Sequence, residues 1–488
     1  MKWARWSAFL VIALFGLAVR VPKLDVRPMH TDEAINGYIV GQVLGGEPFT
    51  YDPKDRHGPA LAALALPLVK MQGASSFSDL TERELRLTSV VAGTITILLF
   101  GAAVEMFGFL PCALAAILFA VAPLPVYYDR YFIHESLFCA ATFGLIISTW
   151  RACKMRSVNW AAVAGGSAAL MMACKETAIL HFFALAVAGF VFWVWNLRGQ
   201  NARGPFRFGS MLAAAGSFVT LVLILFTWFG RNWKNLHAQL HVATDVIARA
   251  GGQGHEKPFW YYGKLLTVGW SGGLLVALAL VGFLIALKRR DASPCKWLAY
   301  YALIIATIYS LIPYKTPWLA LNLWLPLALL FGIAVDALWC WSRRSLSRYA
   351  AVLVFCALAG SAAVLIAHDT RLRVFLQPAD ERNPYAYAHT SDDILGISAE
   401  ISDLAHQDGI VTPRVAVIAA DAWPLPWYLR HFSQVGFWQP GQQVADADFY
   451  VTSTEAANQY ADRLKDFRPE FFGVRPGVLI LLWSPAPK

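Results

Sequence analysis

Long apolar runs recur from Trp6 to Ala367, many near the ~20 residues needed to cross a bilayer. They constrain the chain more than any other feature. Hydrophobic residues make up 57% of the 488, charged residues 15%, and mean hydropathy is +0.48. The net charge of +9 would suit a nucleic-acid partner, but the basic residues sit in short connectors, which is the pattern of membrane orientation. The expectation is a mainly α, polytopic membrane helix bundle, with no nucleic acid among its partners.

The apolar runs predict about eleven spans, at residues 6–21, 87–107, 110–127, 136–152, 159–174, 178–196, 209–229, 265–287, 297–312, 317–340 and 349–367. Lys2 and Arg5 precede the first run, but no small-residue cleavage site follows Val21; Pro22 and Lys23 do. The segment reads as a retained helix with a cytoplasmic amino end. Connectors rich in Lys and Arg then fall inside: Arg151/Lys154/Arg156, Arg198/Arg203/Arg207, Lys288/Arg289/Arg290/Lys296 and Arg343/Arg344/Arg348.

The apolar stretch Gly58–Met71 is short for a span and carries Pro59 and Pro67. If it crossed, every later basic cluster would face outward. It therefore reads as a juxtamembrane helix on the outer interface, within an outer loop over 31–72. A second outer loop, 231–264, has helical periodicity from Arg231 to Ala250, with Trp233, Leu236, Leu240 and Ile247 on one side. These boundaries predict a transmembrane domain over 1–368. Beyond it the chain turns polar, and 369–488 is long enough for a small α/β domain, outside by parity. Its strand-like runs are Arg414–Ala419, Phe449–Thr452 and Val478–Trp483, and helical patterns cover Ser391–His406 and Glu455–Lys465. The seven cysteines lie in or beside spans, so disulfides do not staple this domain.

Sorted by side, the outer connectors collect the chemistry: Asp32/Glu33, Arg56/His57, Asp129/Arg130, His134/Glu135, Lys175/Glu176 and Lys315. Carboxylates, imidazoles and cations at one membrane surface suit acid/base work on a phosphate-bearing lipid. Each also has a plain reading. Asp32 and Glu33 open a helical pattern and fit a cap. Asp129 and Arg130 fit a local ion pair, Lys175–Glu176 a tight turn, and Lys315 a snorkelling lysine. His237 and His241 share a helix face that Asp245 continues, so either a metal site or a hydrated face is open.

Thr31-Asp32-Glu33-Ala34, Arg56-His57-Gly58-Pro59, Tyr128-Asp129-Arg130-Tyr131 and Lys175-Glu176 resemble landmarks of the GT-C clan of membrane glycosyltransferases. The pattern is most similar to the dolichyl-phosphate-mannose–protein mannosyltransferase (family 39) type, in its prokaryotic flippase-activity-associated subgroup. The first 200 residues or so carry this resemblance. It implies a GT-C helix bundle in the inner membrane, and an inverting, mannosyltransferase-like enzyme. The implied donor is a polyprenyl-phosphate-linked sugar on the non-cytoplasmic side. The implied acceptor is a hydroxyl on a glycan, lipid or protein.

Asp32 would be the general base, with Glu33 beside it and Asp129 orienting the acceptor. Arg56, His57, Arg130, His134, Glu135, Lys175, Glu176 and Lys315 would contact substrate. A divalent metal (Mg, Mn or Zn), where used, would draw on Asp32, Asp129, His57, His237 and His241. The carboxy-terminal domain departs from the family pattern, which carries β-trefoil inserts. The rival readings are a polyprenyl-linked glycan flippase or transporter, and an accessory scaffold. A transporter should bury charge near mid-membrane in inverted repeats, and neither is visible in the sequence.

Overall fold

The computed structural model describes residues 2–53, 56–197, 208–239, 244, 251, 254–289 and 293–486. Each expected span lies on helix. The helices are Lys2–Arg20, Glu82–Phe107, Phe109–Val121 with Pro123–Tyr128, Glu135–Met155, Val158–Cys174, Ala178–Leu197, Phe208–Phe226, Gly269–Lys288, Pro294–Leu311, Ala320–Ser345 and Arg348–Thr370. Among the described residues six are long and apolar enough to cross a membrane, counting Pro317–Ser345 and Arg348–Leu376 as continuous. Shorter apolar helices include Phe109–Val121, Val158–Cys174 and Ala60–Met71. The last, at 12 residues, is about 18 Å long, well short of a hydrocarbon core.

Two of the long helices expose apolar side chains that no protein covers: Phe208 and Met211 on one, Leu353 and Val364 on the other. A helix apolar on its uncovered face belongs in lipid, since water would charge about 25 cal/mol per Å² for that surface. The chain is a membrane protein on this ground.

The structure divides into two compact units. The first comprises Met1–Pro22, Pro48–Ala65 and Arg86–Leu376; the second comprises Lys23–Glu47, Leu66–Leu85 and Gln377–Lys488. In the first, Val158–Cys174 packs between Glu135–Met155 and Phe208–Phe226, and Ala320–Ser345 packs on Phe109–Val121 and Gly269–Lys288. Ala178–Leu197 packs on Pro294–Leu311.

The second unit has a five-stranded sheet: β1 Arg414–Ile418, β2 Gln434–Trp438, β3 Phe449–Ser453, β4 Phe467–Arg475 and β5 Val478–Pro485. Its order is β2-β1-β3-β5-β4. The first three strands run parallel, and β5 joins β3 and β4 antiparallel. Strand β1, between β2 and β3, is buried from Val415 to Ile418, as a parallel strand covered on both faces should be. Ala416, Ile418, Val444, Tyr450, Ala456 and Leu464 form one core cluster. The helix Ile397–Gln407 turns Ile397, Ile401 and Ala405 inward. Strands β2 and β4 are additions to the sequence expectation. The helix Thr31–Leu44 also belongs to this unit, with Gly37 seated under the Trp427 ring and Gly41 under Phe77.

Candidate functional site

In the second unit, Thr31–Leu44 begins with a capping box. The His30 ring accepts from the backbone amide of Asp32, and Glu33 accepts from the His30 amide at 3.1 Å. Two orphan amides of the first turn are thereby satisfied. Glu33 is fully buried, and its carboxylate faces the Arg27 guanidinium at 3.5 Å. The adjacent pair thus divides. Glu33 is absorbed by the cap and the ion pair. The Asp32 side chain, partly exposed on the first turn, takes no hydrogen bond or ion pair from the described residues.

The turn ahead of this helix is tied to later parts of the same unit. Met29 donates from its amide to the Tyr428 hydroxyl at 2.8 Å and accepts from the Thr390 hydroxyl at 2.6 Å. His30 Nε2 lies 3.1 Å from the Tyr387 carbonyl, and its ring packs edge-on against His389 at 5.8 Å. Burial pushes the His389 imidazole well below its ordinary range, and the neighbouring Arg27 charge pushes it the same way.

In the first unit, the turns at 129–134 and 175–177 meet the segment 49–59 at one end of the bundle. Lys175 ends the helix Val158–Cys174 and forms an ion pair with Glu135, which begins Glu135–Met155. His57 Nδ1 lies 2.9 Å from Glu176, which also accepts from the Tyr51 hydroxyl at 3.0 Å. His134 Nε2 lies 3.3 Å from the Gly58 carbonyl, with its ring 5.1 Å from that of His57. Gly58 makes this junction possible, because a Cβ there would run into the backbone of Ala173. Asn235 holds the segment from the other side, accepting from the Tyr51 amide and donating to the Phe49 carbonyl.

Burial opposes charge on Glu176, Lys175 and His134, and the partners decide the outcome. Burial would raise the Glu176 carboxyl, but the charge and hydrogen bond of His57 outweigh it and hold it at about 2. Burial works against the Lys175 ammonium, yet Glu135 outweighs it and moves the group upward. His134 has no carboxylate strong enough to compensate. Burial, then His57 and Lys175, push it well below the ordinary imidazole value, so it is neutral at pH 7.

Asp129 and Arg130 are not paired with each other. Asp129 is fully buried and takes Arg20 Nε at 2.9 Å. Burial raises its carboxyl; Arg20 and the Ser136 hydroxyl oppose without prevailing. The carboxylate rests against Gly93, where a Cβ would collide with it. Arg130 instead donates to the backbone carbonyls of Arg20 and Pro22 and stacks over Phe375 at 4.9 Å.

Lys315 is buried and donates to the carbonyls of Lys257 and Ile312. No carboxylate among the described residues neutralises it, and burial moves it downward from the ordinary lysine value. Tyr262, buried beside exposed Trp260, donates to the Thr316 carbonyl at 3.2 Å and fixes this turn. Arg56 is partly buried and has protein contacts of its own. His237 is exposed on the short helix Lys234–Gln239; His241 and Asp245 lie outside the described residues. Among the described residues no three His, Cys, Asp or Glu side chains gather as a metal ion would require.

Four predicted carboxylates are therefore engaged: Glu33 by Arg27, Asp129 by Arg20, Glu135 by Lys175 and Glu176 by His57. Asp32 is the fifth and is open. Arg20, Arg27, His30 and Tyr51 complete these networks without having been singled out from sequence. For Arg20 a signal existed, since an arginine in the last turn of an apolar helix needs a partner.

Comparison with known proteins agrees with this architecture. Residues 71–229 match the family model described as dolichyl-phosphate-mannose-protein mannosyltransferase. No curated protein matches by sequence. Among solved structures, ArnT from Cupriavidus metallidurans bound to undecaprenyl phosphate is similar over 97% of this chain and 97% of its own, at 15% identity and a TM-score of 0.69. The archaeal oligosaccharyltransferase AglB from Archaeoglobus fulgidus, in complex with an inhibitory peptide and a dolichol-phosphate, matches 99% of this chain and 74% of its own, at 13% identity and TM-score 0.57. An oligosaccharyltransferase from Archaeoglobus fulgidus has been solved in complex with zinc and sulfate. The arabinofuranosyltransferase AftD from Mycobacteria matches 100% of this chain and 40% of its own, at 13% identity and TM-score 0.53. The chain has the fold of these glycosyltransferases and carries a mannosyltransferase-like segment, so the resemblance to the GT-C clan holds.

Proposed function

We propose that this chain is an inverting membrane glycosyltransferase that moves a sugar from a polyprenyl-phosphate carrier to an acceptor hydroxyl on a glycan, lipid or protein. One observation carries the reading. Of the described carboxylates singled out from sequence, Asp32 alone lacks a partner among the described residues, and it stands on the first turn of a helix. A general base needs an accessible carboxylate whose charge is not already consumed.

In the proposed reaction the acceptor oxygen attacks the anomeric carbon as Asp32 takes its proton. The bond from that carbon to the phosphate oxygen breaks, and the polyprenyl phosphate leaves with the electron pair. The configuration at the sugar inverts. The departing phosphate needs positive charge more than it needs an acid. Lys315 suits that role best, since no described carboxylate neutralises it. Arg56, Arg130 and Lys175 are assigned to the same substrate. Glu33, Asp129, His57, His134, Glu135 and Glu176 are assigned to hold the surrounding geometry. Lipid-linked phosphates bound to the similarly folded ArnT and AglB support a carrier of this class.

A divalent metal would supply further positive charge toward a phosphate, as the zinc- and sulfate-bound archaeal structure makes chemically reasonable. The candidate ligands fit poorly here. Asp129 is taken by Arg20 and His57 by Glu176, so no step is routed through a metal. The charge pattern of the connectors supports an inner-membrane protein with its amino end in the cytoplasm. It also supports a membrane domain over 1–368, and an extracytoplasmic domain over 369–488.

The test is transfer or hydrolysis from a panel of radiolabelled undecaprenyl-phosphate sugars (mannose, glucose, N-acetylglucosamine and arabinose) by the protein in proteoliposomes. Asp32→Asn should abolish release while leaving the thermal midpoint in place. Full activity in a folded Asp32→Asn protein sinks the base assignment. Movement of the intact lipid-linked sugar across the bilayer, without transfer, would favour the flippase reading.

A further inference from the structure

The carboxy-terminal segment has no role in the reaction just described. Its contacts with the turn before Asp32 give it one. His30 precedes the helix Thr31–Leu44, and both of its ring nitrogens are engaged. Nδ1 accepts from the Asp32 amide at 3.1 Å, so it carries no proton. Nε2 faces the Tyr387 carbonyl at 3.1 Å, and a carbonyl can only accept, so Nε2 carries the proton. The two contacts select one neutral tautomer. They also make the ring a rigid strut between the Tyr387 backbone and the Asp32 amide.

The strut is buttressed on both sides. The Met29 backbone is pinned through its amide by the Tyr428 hydroxyl and through its carbonyl by the Thr390 hydroxyl. His389 packs its ring against that of His30. A serine or asparagine cap would satisfy the same amide. It would not reach a carbonyl 357 residues further along the chain.

We propose that His30 is a positioning residue, and that the 387–390 segment acts through it to fix the Asp32 carboxylate for catalysis. The proposal rests on Asp32 being the general base. A displacement of about 1 Å at a catalytic group can cost on the order of a hundredfold in rate, which gives such a strut something to protect.

Two variants separate the ring's two contacts. In His30→Asn the side-chain oxygen occupies the place of Nδ1, so the Asp32 amide keeps its acceptor while the Tyr387 contact is lost. In His30→Gln the terminal amide reaches toward Tyr387, and the Asp32 amide loses its acceptor. The first readout is amide hydrogen exchange of residues 29–36 in the intact protein in detergent. The Asp32 amide should stay protected in His30→Asn and exchange at least about tenfold faster in His30→Gln. The second readout is steady-state kinetics with whichever sugar of the undecaprenyl-phosphate panel the wild type releases. Each variant cuts one end of the strut, so His30→Gln and His30→Asn should both lower kcat by about tenfold or more with KM for the donor unchanged.

Equal protection of the Asp32 amide in the two variants overturns the strut. Wild-type kcat in His30→Asn, with the Asp32 amide still protected, overturns the part played by the 387–390 segment, and wild-type kcat in His30→Gln overturns the catalytic purpose of the strut. The Asp32→Asn measurement stands apart. If that variant is active the base assignment fails, and the catalytic purpose of the strut fails with it, while the exchange result still reads the mechanical contact.

Discussion

Arg20 Nε lies 2.9 Å from Asp129 Oδ2, and both side chains are closed off from solvent. The same guanidinium donates to the carbonyls of Phe119 and Ala120, so it ties the first helix to the Phe109–Val121 helix and to the 129 turn together. Removing one partner strands a charge where nothing solvates it. Arg20→Met should destabilise the protein by about 3–5 kcal/mol, while Arg20→Met combined with Asp129→Leu should recover much of that loss. Thermal unfolding of the single and double variants in detergent measures the difference. Similar midpoints for both would mean that Asp129 is neutral and the pair carries no such energy.

Acid should unfold the first unit earlier than its ordinary carboxylates require. Glu176 is held at about 2 against an ordinary value of 4.5, so its stabilisation is complete above 4.5 and is lost as pH falls toward 2. The interval is worth on the order of 3 kcal/mol. His134 acts in the same direction at higher pH. It is buried neutral, so the unfolded chain binds a proton below about 6.5 that the folded chain refuses. The thermal midpoint should therefore fall from about pH 6.5 downward and more steeply below 4.5. Glu176→Gln should flatten the lower limb. A midpoint constant between pH 7 and 4 would contradict both shifts.

The helices were legible because lipid exposure writes itself as uninterrupted apolar sequence. Each expected span lies on a helix, with breaks such as Ala122-Pro123 where proline interrupts the ladder. The three best strands were legible as β-branched and apolar runs. Strand β2 was not, because Gln434, Val435 and Gly436 lack alternation, and β4 carries Pro469 and Glu470 inside it. The chemistry-bearing residues were legible as types and not as partners. Asp129 and Arg130 are neighbours in sequence, yet the carboxylate goes to Arg20, 109 residues away. Nor does the sequence announce that 23–47 packs into one unit with 377–488, since contacts such as Met29 to Tyr428 leave no local trace.

Backbone proximity at Gly58 should be as important as any charged group in its cluster. A methyl there meets the Ala173 backbone, which cannot move aside without shifting the end of the Val158–Cys174 helix. Gly58→Ala should cost about 1–3 kcal/mol and loosen both His57–Glu176 and His134–Gly58. Gly93→Ala is the parallel case against a side chain, pressing on the Asp129 carboxylate. Both can be read by thermal unfolding, with Gly216→Ala, where no atom lies within contact range, as the neutral control. A Gly58→Ala protein as stable as that control would show that the loop relaxes freely.

Asp32 and Glu33 should separate cleanly in mutagenesis, although they are adjacent and chemically alike. Glu33 is fully buried, faces Arg27 and closes the capping box, so Glu33→Gln keeps the hydrogen-bond acceptor but removes the negative charge that faces Arg27. Its expected cost is about 1–3 kcal/mol of stability. Asp32→Asn removes a charge that no described residue uses, so stability should change by less than about 0.5 kcal/mol, or rise slightly if like charges on the first turn are relieved. Sugar release should show the reverse order: lost in Asp32→Asn, and retained in folded Glu33→Gln at a temperature below its lowered midpoint. Thermal unfolding and release assays on the same preparations decide it. If Glu33→Gln silences a fully folded enzyme while Asp32→Asn does not, the base is Glu33, and the buried ion pair must open during turnover.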